Sequence, residues 1–401
     1  MADEQVLLLK GDDATMRGLP KAPPFAAAVT SQRNASRLLP QTIAHRGYKS
    51  MYPENSISGF RGAVAVGAHA VETDVRLSAD GVAVLSHDAS LKRCFGVDRK
   101  VGDCAWTDLA ALRTLREPRE GMPRLRDLLA WMAGLGGARH GEGRERVWVL
   151  LDIKLDDDAQ ALMDAIARAI AQAPPGPVPW EQRIMLGCWN VRPCPLPPCS
   201  THTTRAHHSP SSPNSPNSPT QATTLQAAQR TLPSLPLAHI GFSLAYARHF
   251  LPQQDLSFNV AQHALLAPLC GRRFARDLRD RGRALFVWTV NSERAMEWCI
   301  RQNAPPEPPS SPRAVGQPDR RLVDGVITDD PALFLAVCAR CEDELDGLAE
   351  PRRTTAREAA RMAVGVLLRH VLFNLVFLYR RFVQHKMDYM HELRDLERKV
   401  E

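Results

Sequence analysis

From residue 41 to residue 340, short apolar runs alternate with longer amphipathic stretches. The apolar runs predict strands at residues 42–44, 70–75, 82–86, 147–153, 184–189, 238–242, 257–260, 285–290 and 325–328. The amphipathic stretches predict helices at residues 56–66, 108–115, 125–132, 157–171 and 292–302. Such alternation favours a parallel sheet closed by outer helices, the α/β fold known as the TIM (β/α)8 barrel. Nine strand candidates compete for eight places in that barrel, so one is an extra hairpin strand or not a strand.

Outside the alternating region, which we take as a barrel domain at 41–340, the pattern changes. Residues 1–40 show no strong period and are expected to form a loosely ordered N-terminal segment. Residues 191–224 are dense in Pro, Ser, Thr and His, a composition that cannot bury enough apolar surface to fold. We therefore expect a disordered surface insertion there, or an artefact of gene prediction.

Residues 351–401 form an apolar and basic tail with a helical pattern. Its two apolar blocks, 362–368 and 371–379, together would rise about 27 Å as a helix, close to the thickness of a bilayer core. Arg369 lies between the blocks, and a central arginine costs roughly 2.5–3.5 kcal/mol on insertion scales. The pattern therefore favours an interfacial or re-entrant membrane anchor over a span. The alternative is a long helix that packs on the barrel or on a second subunit.

The formal net charge of +7 and the pI near 9.0 favour anionic partners such as phosphate or a lipid surface. Nucleic acid is not expected, because the basic residues are scattered and no aromatic residues are interleaved with them. The nine cysteines are widely spread and suggest no disulfide framework, which fits a reducing compartment or one that faces the cytosol.

The first candidate for chemistry is the sequence His45-Arg46-Gly47, which follows the apolar run 42–44. It places an acid/base group and a fixed cation side by side at a strand end. The glycine would let a ligand approach the backbone.

Two acidic residues share one face of the strand predicted at 70–75. Glu72 and Asp74 are two positions apart, and in a strand such side chains point the same way. Paired carboxylates can hold a hard divalent cation through their oxygens. The alternative is a pair of solvated acids on an edge strand.

A second histidine follows the turn Asp80-Gly81 and the next strand, in the sequence Ser86-His87-Asp88. His45 and His87 could serve as the two proton-transfer groups that cleavage of a phosphodiester requires. A single histidine at a strand end is usually structural. Two of them flanking a carboxylate pair point instead to catalysis.

The strand predicted at 147–153 adds Asp152 and Lys154 on one face. Asp152 could complete a metal shell, and Lys154 could stabilise phosphoryl oxygens together with Arg46. The alternative is a salt bridge at the barrel rim. Trp288 would line the pocket from a later strand end, unless it belongs to the core.

These motifs follow one another in the order seen in a known family. They are Ile43-Ala44-His45-Arg46-Gly47, Pro53-Glu54-Asn55-Ser56, Val71-Glu72-Thr73-Asp74-Val75, Asp80-Gly81, His87-Asp88, Asp152-Ile153-Lys154, Trp288-Thr289-Val290-Asn291 and Asp324-Gly325-Val326-Ile327-Thr328-Asp329. The chain resembles the glycerophosphodiester phosphodiesterase family over residues 41–335, apart from the insertion.

The resemblance implies a TIM barrel and a divalent metal ion, Mg²⁺ or Ca²⁺, held by Glu72, Asp74 and the residue at 152. It also implies His45 and His87 as the acid/base pair, with Arg46 as a phosphate contact. The family commonly has glutamate where this chain has Asp152. The aspartate side chain is one methylene shorter, so a water molecule between it and the ion is an alternative to direct ligation.

Residues 238–248 and the apolar tail resemble a fungal branch of the family, the phosphatidylglycerol-specific phospholipases C. This resemblance implies hydrolysis of phosphatidylglycerol to diacylglycerol and glycerol 3-phosphate, with either a headgroup hydroxyl or water attacking first. The tail would contact the membrane from the cytosolic side. The endoplasmic reticulum or a lipid droplet is the expected location, and the mitochondrion the alternative.

Two other functions stay open. The first is hydrolysis of soluble, deacylated glycerophosphodiesters, for which no membrane anchor is needed. The second is a catalytically silent barrel that binds membrane lipid. The oligomeric state cannot be predicted from these patterns.

Overall fold

The computed structural model describes residues 23–134, 143–189, 224–266, 270–303 and 322–352, with single residues or pairs of residues between 355 and 379. Its strands are β1 (Val29–Thr30), β2 (Leu38–Leu39), β3 (Gln41–His45), β4 (Ala70–Leu77), β5 (Ala83–Leu85), β6 (Trp148–Ile153), β7 (Ile184–Cys188), β8 (Leu237–Gly241), β9 (Leu256–Ala261), β10 (Leu285–Trp288) and β11 (Gly325–Thr328).

The α-helices of the described residues lie mostly between these strands. They are α1 (Ile57–Ala65), α2 (Lys92–Phe95), α3 (Trp106–Ala110), α4 (Leu125–Met132), α5 (Ala159–Gln172), α6 (Thr224–Thr231), α7 (Leu244–Arg248), α8 (Gln262–Leu265), α9 (Cys270–Asp280), α10 (Glu293–Arg301) and α11 (Pro331–Leu345). Alternation of strand and helix places the helices around the outside of a parallel sheet.

Eight parallel strands close into the predicted barrel. The pairing runs β3–β11–β10–β9–β8–β7–β6–β4, and a final pairing of β3 with β4 completes the ring. The ninth strand candidate is β5, a hairpin strand that pairs antiparallel with the last residues of β4. The TIM barrel prediction is therefore confirmed, and the surplus strand is the extra hairpin strand.

The two faces of each barrel strand have different surroundings. On β6, Trp148 and Leu150 pack inside the barrel, whereas Val149 and Leu151 pack against the outer helices. Side chains alternate in direction along a strand, so Asp152 continues the inward row. This alternation aims a carboxylate at the interior where the strand reaches its carboxyl end.

Residues 23–40 differ from the loosely ordered segment expected at 1–40. Residues Pro24–Ala26 form a 3-10 turn, and β1 pairs antiparallel with β2. The Gln41 amide donates to the carbonyls of Phe25 and Ala27 at 2.8 and 2.7 Å. These hydrogen bonds hold the segment against the amino-terminal end of the barrel. Residues 1–22 lie outside the described residues.

The helix predicted at 108–115 forms earlier and is shorter, at α3. It ends at Ala110, and the backbone that follows forms hydrogen bonds with other loop residues. The Thr114 N–H donates to the carbonyl of Glu120, and the Leu115 N–H donates to that of Cys94. These loop hydrogen bonds replace the ones that would continue the helix.

Most of the predicted insertion lies outside the described residues, except for Thr224, which begins α6. The predicted tail is described only at some positions between 351 and 379, of which those from 364 onward are helical. Within the described residues, no helix has both the length and the apolar character that crossing a bilayer requires. The domain boundaries remain predictions.

Candidate active site

The sequence-predicted site residues meet at the carboxyl ends of the barrel strands, around a cavity of about 260 Å³. The polar side of this cavity is lined by His45, Arg46, Glu72, His87, Asp152 and Lys154. The other side is lined by Trp189, Ile240, Phe242, Trp288, Ile327 and Val376, with Asn259 among them. Asp74 lies behind the polar side and is 1% exposed. In a TIM barrel, the carboxyl ends of the strands are where active sites are found.

Three buried carboxylates form the centre of the polar side. Asp74 on β4 lies directly opposite Asp152 on β6, and Glu72 projects from the same face of β4. One oxygen from each of the three lies within 4.8 Å of the others. Burial raises the pKa of Glu72 well above its ordinary value, and the charges of Asp74 and Asp152 add to that increase. A divalent cation would relieve this repulsion, and the all-oxygen set suits Mg²⁺ or Ca²⁺.

Two cations already lie against these carboxylates. The Lys154 ammonium lies 2.6 Å from Asp74 Oδ1 and 2.7 Å from Asp152 Oδ2. Arg46 Nε lies 3.1 Å from Asp74 Oδ2. Burial opposes ionisation of Asp74, but the charges of Lys154 and Arg46 outweigh it and hold the pKa of that carboxyl below its usual range. The site thus combines fixed positive charge with oxygen ligands.

Backbone strain is concentrated at this centre. Among the described residues, the non-glycine residues with positive φ are Arg46, at 57°, and Asn55, at 55°. The strained Arg46 backbone donates its N–H to Glu72 Oε2 at 2.9 Å. The Asn55 amide donates to Asp74 Oδ2 at 2.9 Å. Such conformations cost of order 1–3 kcal/mol and cluster at functional sites, so here they serve to orient the two acids.

His45 forms a buried pair with a carboxylate from the neighbouring strand. Its Nδ1 lies 2.5 Å from Oδ1 of Asp329, which follows β11. Hydrogen bonding from His45 and the charge of Lys49 overcome the effect of burial and lower the pKa of Asp329 to about 2. The ionised carboxylate can only accept, so Nδ1 carries the proton and Nε2 of the neutral ring is the acceptor. Burial lowers the pKa of His45, which keeps the imidazole neutral and suited to act as a base.

Asp329 is itself held in place from two further sides. The Asn291 amide donates to Asp329 Oδ2 at 2.9 Å and accepts the Asp329 backbone N–H at the same distance. The Lys49 ammonium lies 3.3 Å from Asp329 Oδ2. The carboxylate that orients His45 therefore has little freedom to turn.

His87 has a similar partner but a more open setting. Its Nδ1 lies 2.7 Å from Oδ1 of Asp88. The Arg93 guanidinium donates to Asp88 at 2.6 Å and makes two hydrogen bonds to Glu54, at 2.8 and 2.7 Å. Glu54 in turn accepts from Arg46 at 3.0 Å. A continuous series of charged groups thus connects the second histidine to Arg46 on the polar side of the cavity.

Two indoles form much of the apolar side. Trp288 lines the cavity and donates its N–H to the Asn259 carbonyl at 3.1 Å. Trp189 contacts it edge to face, with ring centroids 5.5 Å apart. The Trp189 N–H donates to Asp152 Oδ1 at 2.7 Å. This side of the cavity therefore presents aromatic surface and also reaches the carboxylate cluster.

Sequence reasoning missed several residues of the site. Glu54, Asn55, Asn291 and Asp329 lie within motifs that were quoted without a role. Trp189 was the last residue of a predicted strand, and its position at a strand end was the available signal. Arg93 lies on the short helix α2 and left no recognisable pattern.

Gly47 also differs from expectation. It adopts a φ of 82°, and a Cβ there would lie 2.8 Å from the backbone of Gly59 on α1. The missing side chain therefore allows close approach of a helix, not of a ligand. It fixes the loop after β3 against α1.

At the level of the family, the chain has a clear match among known proteins. The sequence profile of the glycerophosphoryl diester phosphodiesterase family matches residues 45–333. The chain belongs to this family. Members of the family are phosphoric diester hydrolases, which agrees with the expected class of enzyme.

Curated relatives of the family match over shorter stretches. The chain is 38% identical over 82 residues to lysophospholipase D GDPD1 of Rattus norvegicus, covering 20% of this chain and 26% of that protein. It is 35% identical over 168 residues to the probable glycerophosphodiester phosphodiesterase 2 of Mycobacterium tuberculosis, covering 42% and 54%. The chain thus spans no more than about half the length of these relatives.

Solved structures of the family share the fold at lower identity. A phosphodiesterase of Oleispira antarctica, solved with the product sn-glycerol-3-phosphate, aligns with a TM-score of 0.53 and 17% identity, over 75% of this chain and 97% of that one. A glycerophosphodiester phosphodiesterase of Parabacteroides distasonis aligns with a TM-score of 0.50 and 18% identity, over 75% and 98%. These likenesses support the barrel.

Proposed function

We propose that this chain is a metal-dependent phosphodiesterase that hydrolyses phosphatidylglycerol to diacylglycerol and glycerol 3-phosphate. The observation that carries the proposal is the division of the 260 Å³ cavity into a charged side and an apolar side. The charged side suits a phosphodiester with its polar headgroup. The apolar side suits the glycerol backbone and the first carbons of the acyl chains, which a soluble substrate lacks.

On this proposal, Arg46 and Lys154 bind the non-bridging phosphoryl oxygens. Both side chains are nearly buried, at 12% and 10% exposure, so their charges act with little screening by water. Glu72, Asp74 and Asp152 would hold Mg²⁺ or Ca²⁺, which when bound supplies Lewis-acid polarisation of the phosphoryl group.

The two histidines carry the proton transfers. Each has its Nδ1 fixed by a carboxylate, which leaves Nε2 for the substrate. One histidine takes the proton from the attacking hydroxyl, and the other gives a proton to the leaving diacylglycerol oxygen. When water attacks, glycerol 3-phosphate forms directly. When the neighbouring headgroup hydroxyl attacks, diacylglycerol leaves and a cyclic phosphate forms, and water then opens that ring to give glycerol 3-phosphate.

A membrane partner follows from the same choice of substrate. The described residues between 364 and 379 include the exposed apolar side chains Leu367, Leu368, Leu372 and Leu375. Val376 of this stretch lines the active-site cavity itself. An interfacial helix here would bring the cavity to the surface of a cytosol-facing membrane, such as that of the endoplasmic reticulum or a lipid droplet.

The decisive experiment compares substrates and variants. Purified full-length protein is given phosphatidylglycerol vesicles with Mg²⁺ or Ca²⁺, and diacylglycerol is measured. We expect turnover that a chelator abolishes, and a loss of at least 100-fold for His45→Ala and for His87→Ala. His69→Ala is the matched control, because His69 precedes β4 at the opposite end of the barrel, where its ring accepts the Thr42 N–H at 3.0 Å.

Other outcomes separate the remaining functions. Preference for glycerophosphocholine over intact lipid would replace the phospholipase with a hydrolase of soluble glycerophosphodiesters. Lipid binding that is insensitive to a chelator, without turnover of any of these substrates, would indicate a catalytically silent lipid-binding barrel.

A further inference from the structure

The carboxylate of Asp152 is anchored at both of its oxygens. Oδ2 accepts from the Lys154 ammonium at 2.7 Å, and Oδ1 accepts from the Trp189 indole at 2.7 Å. The two donors differ in kind. Lysine is a flexible cation that Asp74 also attracts, at 2.6 Å. The indole is a rigid neutral donor with one N–H.

Trp189 is well placed to resist movement of that carboxylate. It follows β7, the strand that pairs with β6, and Asp152 lies opposite Gly187 in their register. Its ring contacts Trp288 edge to face at 5.5 Å, and Trp288 is itself tied to the Asn259 carbonyl. Aromatic pairs of this geometry stabilise each other beyond the burial of their area. The indole N–H therefore comes from a side chain whose own orientation is fixed.

The short side chain at position 152 makes this anchor important. Glutamate would reach further from the strand, whereas the aspartate carboxylate stays close to the backbone and depends on its neighbours for direction. Without Trp189, the strongest remaining contact is Lys154, which would draw the carboxylate toward the ammonium. One Asp152 oxygen must stay near Glu72 and Asp74 for the three acids to share a cation.

We propose that Trp189 is a positioning residue for divalent metal binding: its indole N–H holds the Asp152 carboxylate in the orientation that the cation needs. This inference rests on the metal dependence in the proposed function and deepens it. It assigns the indole to the metal centre as well as to the apolar wall. Partners of this kind typically change metal affinity by 10–100-fold when they are removed.

The test measures metal affinity directly, without substrate. Full-length protein, freed of metal by a chelator and dialysis, is titrated with Ca²⁺ and with Mg²⁺ by isothermal titration calorimetry. We expect Trp189→Phe, which keeps a ring in the wall but loses the donor, to bind at least tenfold more weakly. Trp131→Phe is the matched control, because the buried Trp131 N–H on α4 has no hydrogen-bond partner among the described residues. The metal affinity of this variant should equal that of the parent.

A double-mutant cycle assigns the effect to Asp152. In an Asp152→Glu background, the longer side chain reaches the cation without the indole, so Trp189→Phe should change affinity less than threefold. Equal affinity of parent and Trp189→Phe would overturn the inference while leaving the proposed function intact. An undiminished loss in the Asp152→Glu background would also overturn it, since the indole would then act independently of Asp152. If the parent binds neither metal, the metal dependence of the proposed function is overturned, and this inference is overturned as well.

Discussion

The two histidine–carboxylate pairs of the site look alike but are built from different parts of the molecule. His45 and Asp329 end two neighbouring barrel strands, β3 and β11, and their side chains are 13% and 23% exposed. His87 and Asp88 follow the hairpin strand β5 and are 37% and 30% exposed. The first pair takes its geometry from the closed barrel, whereas the second depends on a loop.

This difference decides what holds each imidazole in place. The first pair is fixed by strand register, by the neutral Asn291 and by the Lys49 ammonium, which is less exposed than Arg93. The second is fixed by Arg93, which is half exposed and makes its contacts through charge. Interactions between exposed charges weaken as salt increases, whereas buried contacts change little. We therefore expect the two halves of the site to respond differently to mutation and to solvent.

The largest effect should come from Asp329→Asn. The amide can present its N–H₂ to Nδ1 and favour the wrong tautomer of His45, which then has its proton on Nε2 and cannot accept one. We expect turnover of the preferred substrate to fall by 100-fold or more. Steady-state kinetics at pH 7 measures this, with thermal unfolding to verify the fold. A loss below tenfold would mean that His45 does not need this partner.

Asp88→Asn should reduce turnover less than Asp329→Asn does. The same change of tautomer applies to His87, but water reaches this half-exposed pair and can replace the lost acceptor. We expect a loss of about tenfold, within the range for proton-transfer groups that are only partly disabled. If Asp88→Asn proved more damaging than Asp329→Asn in parallel assays, the ranking of the two halves would be reversed.

Arg93→Gln should have a smaller effect that depends on salt. The variant loses the contacts to Asp88 and Glu54, so kcat should fall a few-fold at low ionic strength. In the parent, added NaCl should reduce activity toward that of the variant, whereas the variant should respond little. Arg99→Gln is the control, since the Arg99 side chain contacts Asp108, at 3.2 Å, and the Asp103 carbonyl, neither of which lines the cavity. Identical salt dependence of the parent and of Arg93→Gln would mean that the contacts of Arg93 with Asp88 and Glu54 do not support activity.

The smallest effect on activity is expected at His239, a buried histidine that packs among Tyr246, Phe250 and Phe258. Burial lowers its pKa to about 3, below the value of about 6.5 in an unfolded chain. As the pH falls, protons therefore bind the unfolded state first. The contribution of the buried neutral His239 ring to the free energy of unfolding is complete above pH 6.5 and declines as the pH falls toward 3. Below pH 6 the free energy of unfolding falls, through this histidine, by about 1.4 kcal/mol per pH unit.

His239→Leu removes that titration. Urea unfolding at pH 6 and pH 5 should show a smaller loss of unfolding free energy in the variant, by about 1 kcal/mol. Activity at pH 7 should change little, because the ring faces the outer layer and not the cavity. An unchanged pH dependence would mean that the ring is already protonated in the folded protein.

Much of this contrast could be predicted from the sequence, and the reason is the period of a strand. In the runs 70–75 and 147–153, alternation places Glu72 and Asp74 on one face of the first strand, and Asp152 with Lys154 on one face of the second. The register in which the first and last strands of the barrel pair could not be read from local pattern. Asp329 meets His45 because the last strand pairs with the first in register, with Thr328 opposite Ala44. That pairing joins residues that are far apart along the chain.

The loop contributions were harder still. Arg93 contacts Asp88 and Glu54 because of the path taken by residues after β5, where no repeating pattern constrains side-chain direction. The indole of Trp189 reaches Asp152 through one rotamer of a strand-end residue. Contacts of this kind depend on three-dimensional packing, so composition and spacing leave them undetermined.

The hairpin strand β5 pairs with residues 75–77 of β4, beyond the point where β3 stops pairing with that strand. The ring is complete without it, so the chain from residue 78 to residue 124 is an excursion between two barrel elements. A change in the length or sequence of this excursion would leave the pairing of the eight barrel strands intact. In this chain His45 and the three carboxylates are therefore carried by the ring, whereas His87, Asp88 and Arg93 are carried by the excursion.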